Sequence, residues 1–395
     1  MKHLHFLFLT ILTVFVGCTD FDSATQGTSF TVQLVGADSA AASISMAGRT
    51  VTLKSYEGRI IQLTTDSTGR AHTDDLIPDL YSISANWAIS EKVLMTGSLP
   101  QRTIKNSDEV TLIMHQTTIS RLLISKVYMA GSKEKNGSTN HLTGSYLEIY
   151  NQSDEPIDVA GLYIGLLESD SEIRFTLDQL HEMHADSVVL MKQLFRIPTT
   201  TPKLLQPGST LLLCNSAIDH SEFSDMEHSL LDADYEAKDQ TMKITNNKDV
   251  PALEAIYLQT TSNMSYMGLT RGGPTGVVIF ETNENPLSWP TTYKYPNDAT
   301  TGAKWLLLPK RLIIDGVDIL HMKKSGVDIQ TKRLYNEIDA GYITLTTING
   351  LDGEVLYRKT SDMKGADGHK MLVDTNNSSN DFQTSKTIAP REYDE

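Results

Sequence analysis

Residues 146–164, YLEIYNQSDEPIDVAGLYI, constrain the fold more tightly than any other stretch of the chain. Tyr146, Glu148 and Tyr150 alternate with Leu147 and Ile149, the period-2 pattern of a strand with one buried face. Asn151, Ser153, Asp154 and Pro156 are turn chemistry: the polar side chains bond nearby backbone, and proline fixes φ and removes a donor. Ile157 and Val159 alternate again, and Gly161 breaks the run before Leu162-Tyr163-Ile164. The stretch reads as strand, turn, strand.

The N-terminus is not expected to join that fold. Lys2 supplies a positive charge, and residues 6–16 are apolar except for Thr10 and Thr13. The run is too short to cross a bilayer as a mature helix. Val16-Gly17-Cys18 resembles a bacterial lipobox. The resemblance implies that 1–17 is a lipoprotein signal peptide and that Cys18 is lipidated. Acyl chains contribute about 0.8 kcal/mol per buried methylene, so more than one gives a durable anchor. Asp20 and Asp22, in a polar tether spanning 18–29, resemble the export signal of Bacteroidetes lipoproteins. The implied location is the outer membrane, lipid-anchored and facing the cell exterior.

With Cys18 acylated, Cys214 is the one thiol left, and no intrachain disulfide can form. It ends the apolar run Leu211-Leu212-Leu213-Cys214, which suits a small core residue better than a nucleophile. Acidic residues number 49 against 34 basic, a formal charge of −15. No long basic run is present to track a phosphate backbone, so nucleic acid is not an expected partner.

Residues 30–116 read as a small β-unit. Phe30, Val32 and Leu34 alternate with polar residues, residues 50–54 and 60–63 form further strands, and Gly69 suits a tight polar turn before Ala71. The pattern TTDSTGRA…DLIPDLYSISA resembles the transthyretin-like regulatory sandwiches of carboxypeptidases. Their usual Pro-Gly-x-Tyr appears here as Pro78-Asp79-Leu80-Tyr81, a departure at that turn. The resemblance implies a spacer or docking module. Thr117-Thr118 reads as a short joint.

The second unit is expected over 119–388, with a tail at 389–395. Residues 121–128 open it, and the 146–164 motif resembles the opening hairpin of lamin-tail domains, which are immunoglobulin-like sandwiches. A Pro207-Gly208 turn feeds a buried strand. A short helix is expected near 177–184, and strands over 255–258, 276–280, 305–309 and 312–317. Tyr357-Arg358-Lys359, followed by an Asp/Asn-rich stretch from Asp374 to Asp381-Phe382, resembles the closing pieces of the same domain. The opening and closing signatures lie far apart, so the residues between Glu168 and Tyr342 are expected as insertions that face a ligand or partner. The fold class is therefore all-β: two immunoglobulin-like sandwiches, the second lamin-tail-like with long insertions. The whole resembles a family of Bacteroidetes surface lipoproteins known as a domain of unknown function. Its members accompany TonB-dependent transporters, which implies an accessory role in uptake of a small ligand.

Candidate sites are few. His181 and His184 share a helical face, but the spacing is not that of HExxH. Asp374 and Asn376 offer oxygens at alternate positions without the glycine and closing glutamate of a calcium loop. These four are the metal candidates. Trp289, Tyr293, Tyr295 and Trp305 either form a face that stacks on a ligand or belong to a core. Ser23, Ser39, Ser67 and Ser187 sit in Asp-Ser-x triplets that resemble Bacteroidetes O-glycosylation acceptors. No G-x-S-x-G, Walker, zinc-finger or Rossmann spacing is present. The expectation is a non-enzymatic protein with no cofactor. A structural or adhesive lipoprotein is the first alternative, and a glycan-acting hydrolase with spatially assembled carboxylates is the second.

Overall fold

Alternation builds the N-terminal sheet. Thr28–Gly36 buries Phe30, Val32 and Leu34 while Thr31 and Gln33 stay half-exposed. The computed structural model describes residues 27–56, 58–90, 93–169, 177–184, 187–241, 243–259, 264–293 and 303–394, apart from the side chains of 178, 180 and 181. Seven strands follow the order Ile60–Thr64, Thr50–Ser55, Asp79–Ser90, Val93–Ile104, Asp108–Thr118, Thr28–Gly36, Arg70–Leu76. Neighbours are antiparallel except Thr28–Gly36 beside Asp108–Thr118. The path folds over a core that includes Phe30, Leu53, Tyr81, Ile83, Met95 and Leu112. At the polar turn Asp66 accepts the amides of Thr68 and Arg70, and Gly69 takes φ +78°. Asp108–Thr118 runs through the expected joint at Thr117-Thr118, so the connection shrinks to residues 119–121.

Two sheets face each other in the rest of the chain. One has the order Tyr235–Glu236, Thr210–Cys214, Tyr146–Asn151, Leu122–Tyr128, Val355–Arg358, Phe382–Ser385. The other runs Thr291–Tyr293, Lys304–Pro309, Val188–Arg196, Tyr163–Leu167, Thr275–Phe280, Ile313–Ile319, with Glu254–Leu258 also paired on Val188–Arg196. Leu147, Ile149, Leu211 and Leu213 of the first meet Ile164, Leu166, Val277 and Ile279 of the second in one core. The all-β sandwich class is as expected. The helix Leu177–His184 also falls where the sequence places it.

Two expectations need correction. The 146–164 motif is no hairpin: Tyr146–Asn151 lies in one sheet and Tyr163–Leu167 in the other. The turn is an arch, pinned by Asn151, whose Nδ2 donates to Glu155 O and Leu205 O at 2.8 Å. Residues 168–342 are not insertions on a finished sandwich, because most of the second sheet lies within them. Val188–Arg196, unread from the sequence, pairs with three other strands.

Both errors have one cause. The period-2 rule assumes one wet face, whereas all six residues of Tyr146–Asn151 are buried. Glu148 meets Lys126 at 3.2 Å, and the chain end covers the pair. Lys126 Nζ donates to Ala389 O at 2.8 Å, the Arg391 amide donates to Glu148 at 2.6 Å, and Tyr393 donates to Ser125 at 2.7 Å. Residues 389–394, within the expected tail, form a packed strap.

Candidate functional site

The connection between the N-terminal sheet and the sandwich is gripped from several sides. Ser120 donates its amide to Asp374 Oδ2 at 2.9 Å and its hydroxyl to Ile314 O at 2.9 Å. Gln152 Nε2 donates to Ser120 O at 2.7 Å. Asn376, held at φ +50°, donates to Thr117 Oγ1 at 2.6 Å and to Glu337 O at 3.1 Å. Asp374 and Asn376 therefore fasten the joint instead of converging on a metal.

Behind the joint, Arg358 lies wholly buried among three aspartates. It donates to both Asp315 oxygens at 2.8 and 2.9 Å and to Asp381 at 3.1 Å, and Asp374 stands 3.5 Å away. Its Nε donates to Ile124 O, and its guanidinium covers the Phe382 ring at 4.8 Å. One cation cannot fully compensate three desolvated carboxylates. Burial, against the pull of Arg358, raises Asp315 to about 6 and Asp381 to about 7, with Asp374 adding repulsion. This is structural machinery: it fixes how the two parts of the molecule meet.

That meeting leaves a cleft of about 620 Å³. Lys54, Tyr56, Ser82 and Gln101 line it from the N-terminal sheet. Met322, Tyr342, Thr344, Lys359 and Gln383 line it from the sandwich. Gln101 Nε2 donates across it to the Tyr342 hydroxyl at 3.5 Å. The 321–328 ribbon closes one side, and its Gly326 takes φ +106°, a backbone conformation that favours glycine. Lys359 Nζ donates to Asn380 O at 2.6 Å. Burial, and then the charge of Lys54, lowers the Lys359 ammonium below its usual range. No aspartate, glutamate or histidine belongs to the lining among the described residues.

A second buried polar group lies away from the cleft. His141 Nε2 and His220 Nδ1 are 2.7 Å apart, and His220 Nε2 is 2.8 Å from Ser216 O. The second contact requires His220 to donate from Nε2, so Nδ1 accepts and His141 donates. Burial lowers both imidazoles, His220 to about 4. Nearby, Glu227 accepts from Tyr128 at 2.6 Å and Ser132 at 2.7 Å, and burial raises it. The stretch 219–228 carries Asp219, His220, Glu222, Asp225, Glu227 and His228. Its partners at 128–141 come from distant chain, so spacing alone carried no signal for them.

The other candidate residues are dispersed. Cys18, Ser23 and Tyr295 lie outside the described residues, as does the His181 side chain. His184 closes the helix Leu177–His184, and no group of three metal-ligating side chains is present among the described residues. Ser39, Ser67 and Ser187 are exposed. Trp305 packs with Leu190 and Leu307. Trp289 sits in a different cluster beside Phe280 and donates to Glu284 at 2.7 Å. Tyr293 is half-buried under Lys304. The two tryptophans are core side chains, the second of the two alternatives that the sequence left open.

These features define an all-β sandwich protein with a cleft of small-ligand size. Residues 206–389 match the family described as Protein of unknown function (DUF4876). The crystal structure of a DUF4876 family protein from Bacteroides thetaiotaomicron VPI-5482 is similar over 90% of this chain and 94% of that one. Its TM-score of 0.54 at 17% identity shows a shared fold. The major pilin subunit of Bacillus cereus, BcpA, is similar over 76% of this chain and 97% of its own, at 13% identity and a TM-score of 0.18, too low to bear on the fold. No curated protein matches the sequence.

Proposed function

We propose that this is a non-enzymatic, surface-anchored lipoprotein that binds a small ligand in the cleft between its N-terminal sheet and its sandwich. The cleft itself carries the reading: about 620 Å³, lined by hydroxyl, amide, tyrosine and lysine side chains contributed by both parts of the chain. Pockets of this size that gather convergent polar groups are the usual form of a ligand site. Hydrolysis of a glycoside needs paired carboxyl groups, and the lining offers none among the described residues. That favours binding over turnover.

Anchoring through Cys18 at the outer membrane, and service to a TonB-dependent receptor, complete the proposal. An acyl tether holds the protein beside its partner, so a weak interface stays occupied through high effective concentration. A purely adhesive role remains the second reading, favoured by the exposed β-surface and distinguished by its lack of a small ligand.

The test is a calorimetric screen of purified protein against neutral and acidic saccharides, with product analysis of each mixture. Saturable binding without product is expected. Turnover abolished by a single carboxylate substitution would overturn the non-enzymatic reading. Affinity purification from intact outer membranes in mild detergent tests the receptor: no co-purifying transporter would favour the adhesive role.

A further inference from the structure

Among the groups lining the cleft, only Lys54 and Lys359 carry charge, and they come from opposite sides of it. Lys54 follows the alternation of Thr50–Ser55, whose Val51, Leu53 and Ser55 point into the core and turn it outwards. Lys359 follows the last residue of Val355–Arg358; Arg358 turns inward to its aspartates, which sends its neighbour toward the cleft. Among the described residues no carboxylate reaches ion-pair distance of either ammonium.

The chain as a whole carries a formal charge of −15, so a recess whose charged lining groups are both cationic stands against its overall balance. Some lysines elsewhere have acidic partners: Lys203 meets Asp234 at 2.6 Å and Lys386 meets Asp352 at 2.8 Å. The acids nearest Lys359 are committed. Asp381 serves Arg358 and Thr375, and Asp394 binds Thr360 and Gln383. Two like charges held in one recess cost free energy that an anion between them would recover.

Resting on the cleft as the ligand site, we propose that it takes a small oxyanion on a polyhydroxyl body, the chemistry of an acidic saccharide, with Lys54 and Lys359 clamping the anionic group from the two sides. Tyr56, more than half exposed at the rim, offers a ring face to the sugar body. Gln101 and Tyr342 supply donor and acceptor groups beside it. A carboxylate and a sulfate ester share this chemistry, and separate probes distinguish them.

The experiment is isothermal titration of the full mature chain with D-glucuronate, glucose 6-sulfate, D-glucose and inorganic sulfate, repeated with Lys54→Gln and Lys359→Gln. One acidic sugar is expected to bind at least about tenfold more tightly than glucose, and the advantage should fall about tenfold in Lys54→Gln. Raising salt should weaken it, since the clamp is open to solvent. Lys54 is exposed, so its variant keeps the test valid where Lys359→Gln disturbs folding near Arg358. If glucose binds as tightly as the acids, and Lys54→Gln changes nothing, the anion clamp is wrong while the cleft remains a ligand site. If inorganic sulfate alone binds as well as either sugar, the polyhydroxyl body is wrong. If no probe binds, the acidic-saccharide assignment fails for these ligands, and neutral compounds found in the wider screen would still uphold the cleft.

Discussion

The two halves of the molecule keep their interiors dry in different ways. In the N-terminal sheet the buried polar residues are hydroxyl-bearing: Ser55, Thr65, Ser84, Thr96 and Ser98. The sandwich buries Lys126, Glu148, Glu168, Lys332, Arg333, Asp315, Asp318, Asp374, Asp381 and Arg358. Both halves bury apolar area, which any fitting side chain can supply. The sandwich adds buried charges that tolerate no vacancy, because a buried ion without its partner costs more than the pair contributes. The charged half also fastens the joint, so the geometry of the cleft depends on ionic contacts rather than on a hydrophobic interface.

The largest expected effect tests that difference directly. Arg358→Met keeps most of the volume but leaves three buried aspartates uncompensated, and should cost about 3–5 kcal/mol in chemical denaturation. The corresponding size-preserving change in the other half, Leu53→Met, should cost less than about 1.5 kcal/mol. Similar losses for the two would erase the distinction. Truncation sharpens it: Phe30→Ala, deep in the apolar core, should cost about 3 kcal/mol by removing area and leaving a cavity.

A smaller effect is the dependence on pH. Asp315 and Asp381 bind protons more tightly when folded, near 6 and 7, than the usual carboxylate near 3.8. Their contribution is complete below the unfolded value and is lost as pH rises through the folded ones. His220, lowered to about 4 from 6.5, works in the opposite sense: its contribution is present above 6.5 and is lost as pH falls toward 4. Denaturation curves of the wild type and of Asp381→Asn at pH 5 and pH 8 separate the two. Asp381→Asn should reduce the loss between pH 5 and 8, and an unchanged slope would remove this aspartate from the account. The smallest effect belongs to the exposed N-terminal pair Arg102–Asp108, 2.7 Å apart, where Arg102→Ala should change stability by less than about 1 kcal/mol.

Legibility in the sequence follows the same division. Phe30, Val32 and Leu34 announce their strand because the alternate positions face water. Val188–Arg196 does not: buried on both faces, VVLMKQLFR shows no clean period, and its polar Gln193 bonds the carbonyls of Met264 and Tyr266 far along the chain. Tyr146–Asn151 was read as a strand but assigned a wet face that residues 389–394 cover. The candidate site fared worse. The sequence left Trp289 and Trp305 open between a ligand face and core, and both are buried, whereas the cleft joins Lys54 to Lys359, residues whose proximity only the folded joint creates.

The most direct test of the account is whether the joint holds the two halves in one orientation. Spin labels at Ser67→Cys and Lys248→Cys, both exposed and on opposite sides of the joint, report the distance between the N-terminal sheet and the sandwich by pulsed electron resonance. The clamp through Asp374 and Asn376 predicts a single narrow distance distribution that broadens in the doubly substituted Asp374→Ala, Asn376→Ala protein. A broad distribution in the otherwise unaltered chain would contradict a fixed cleft.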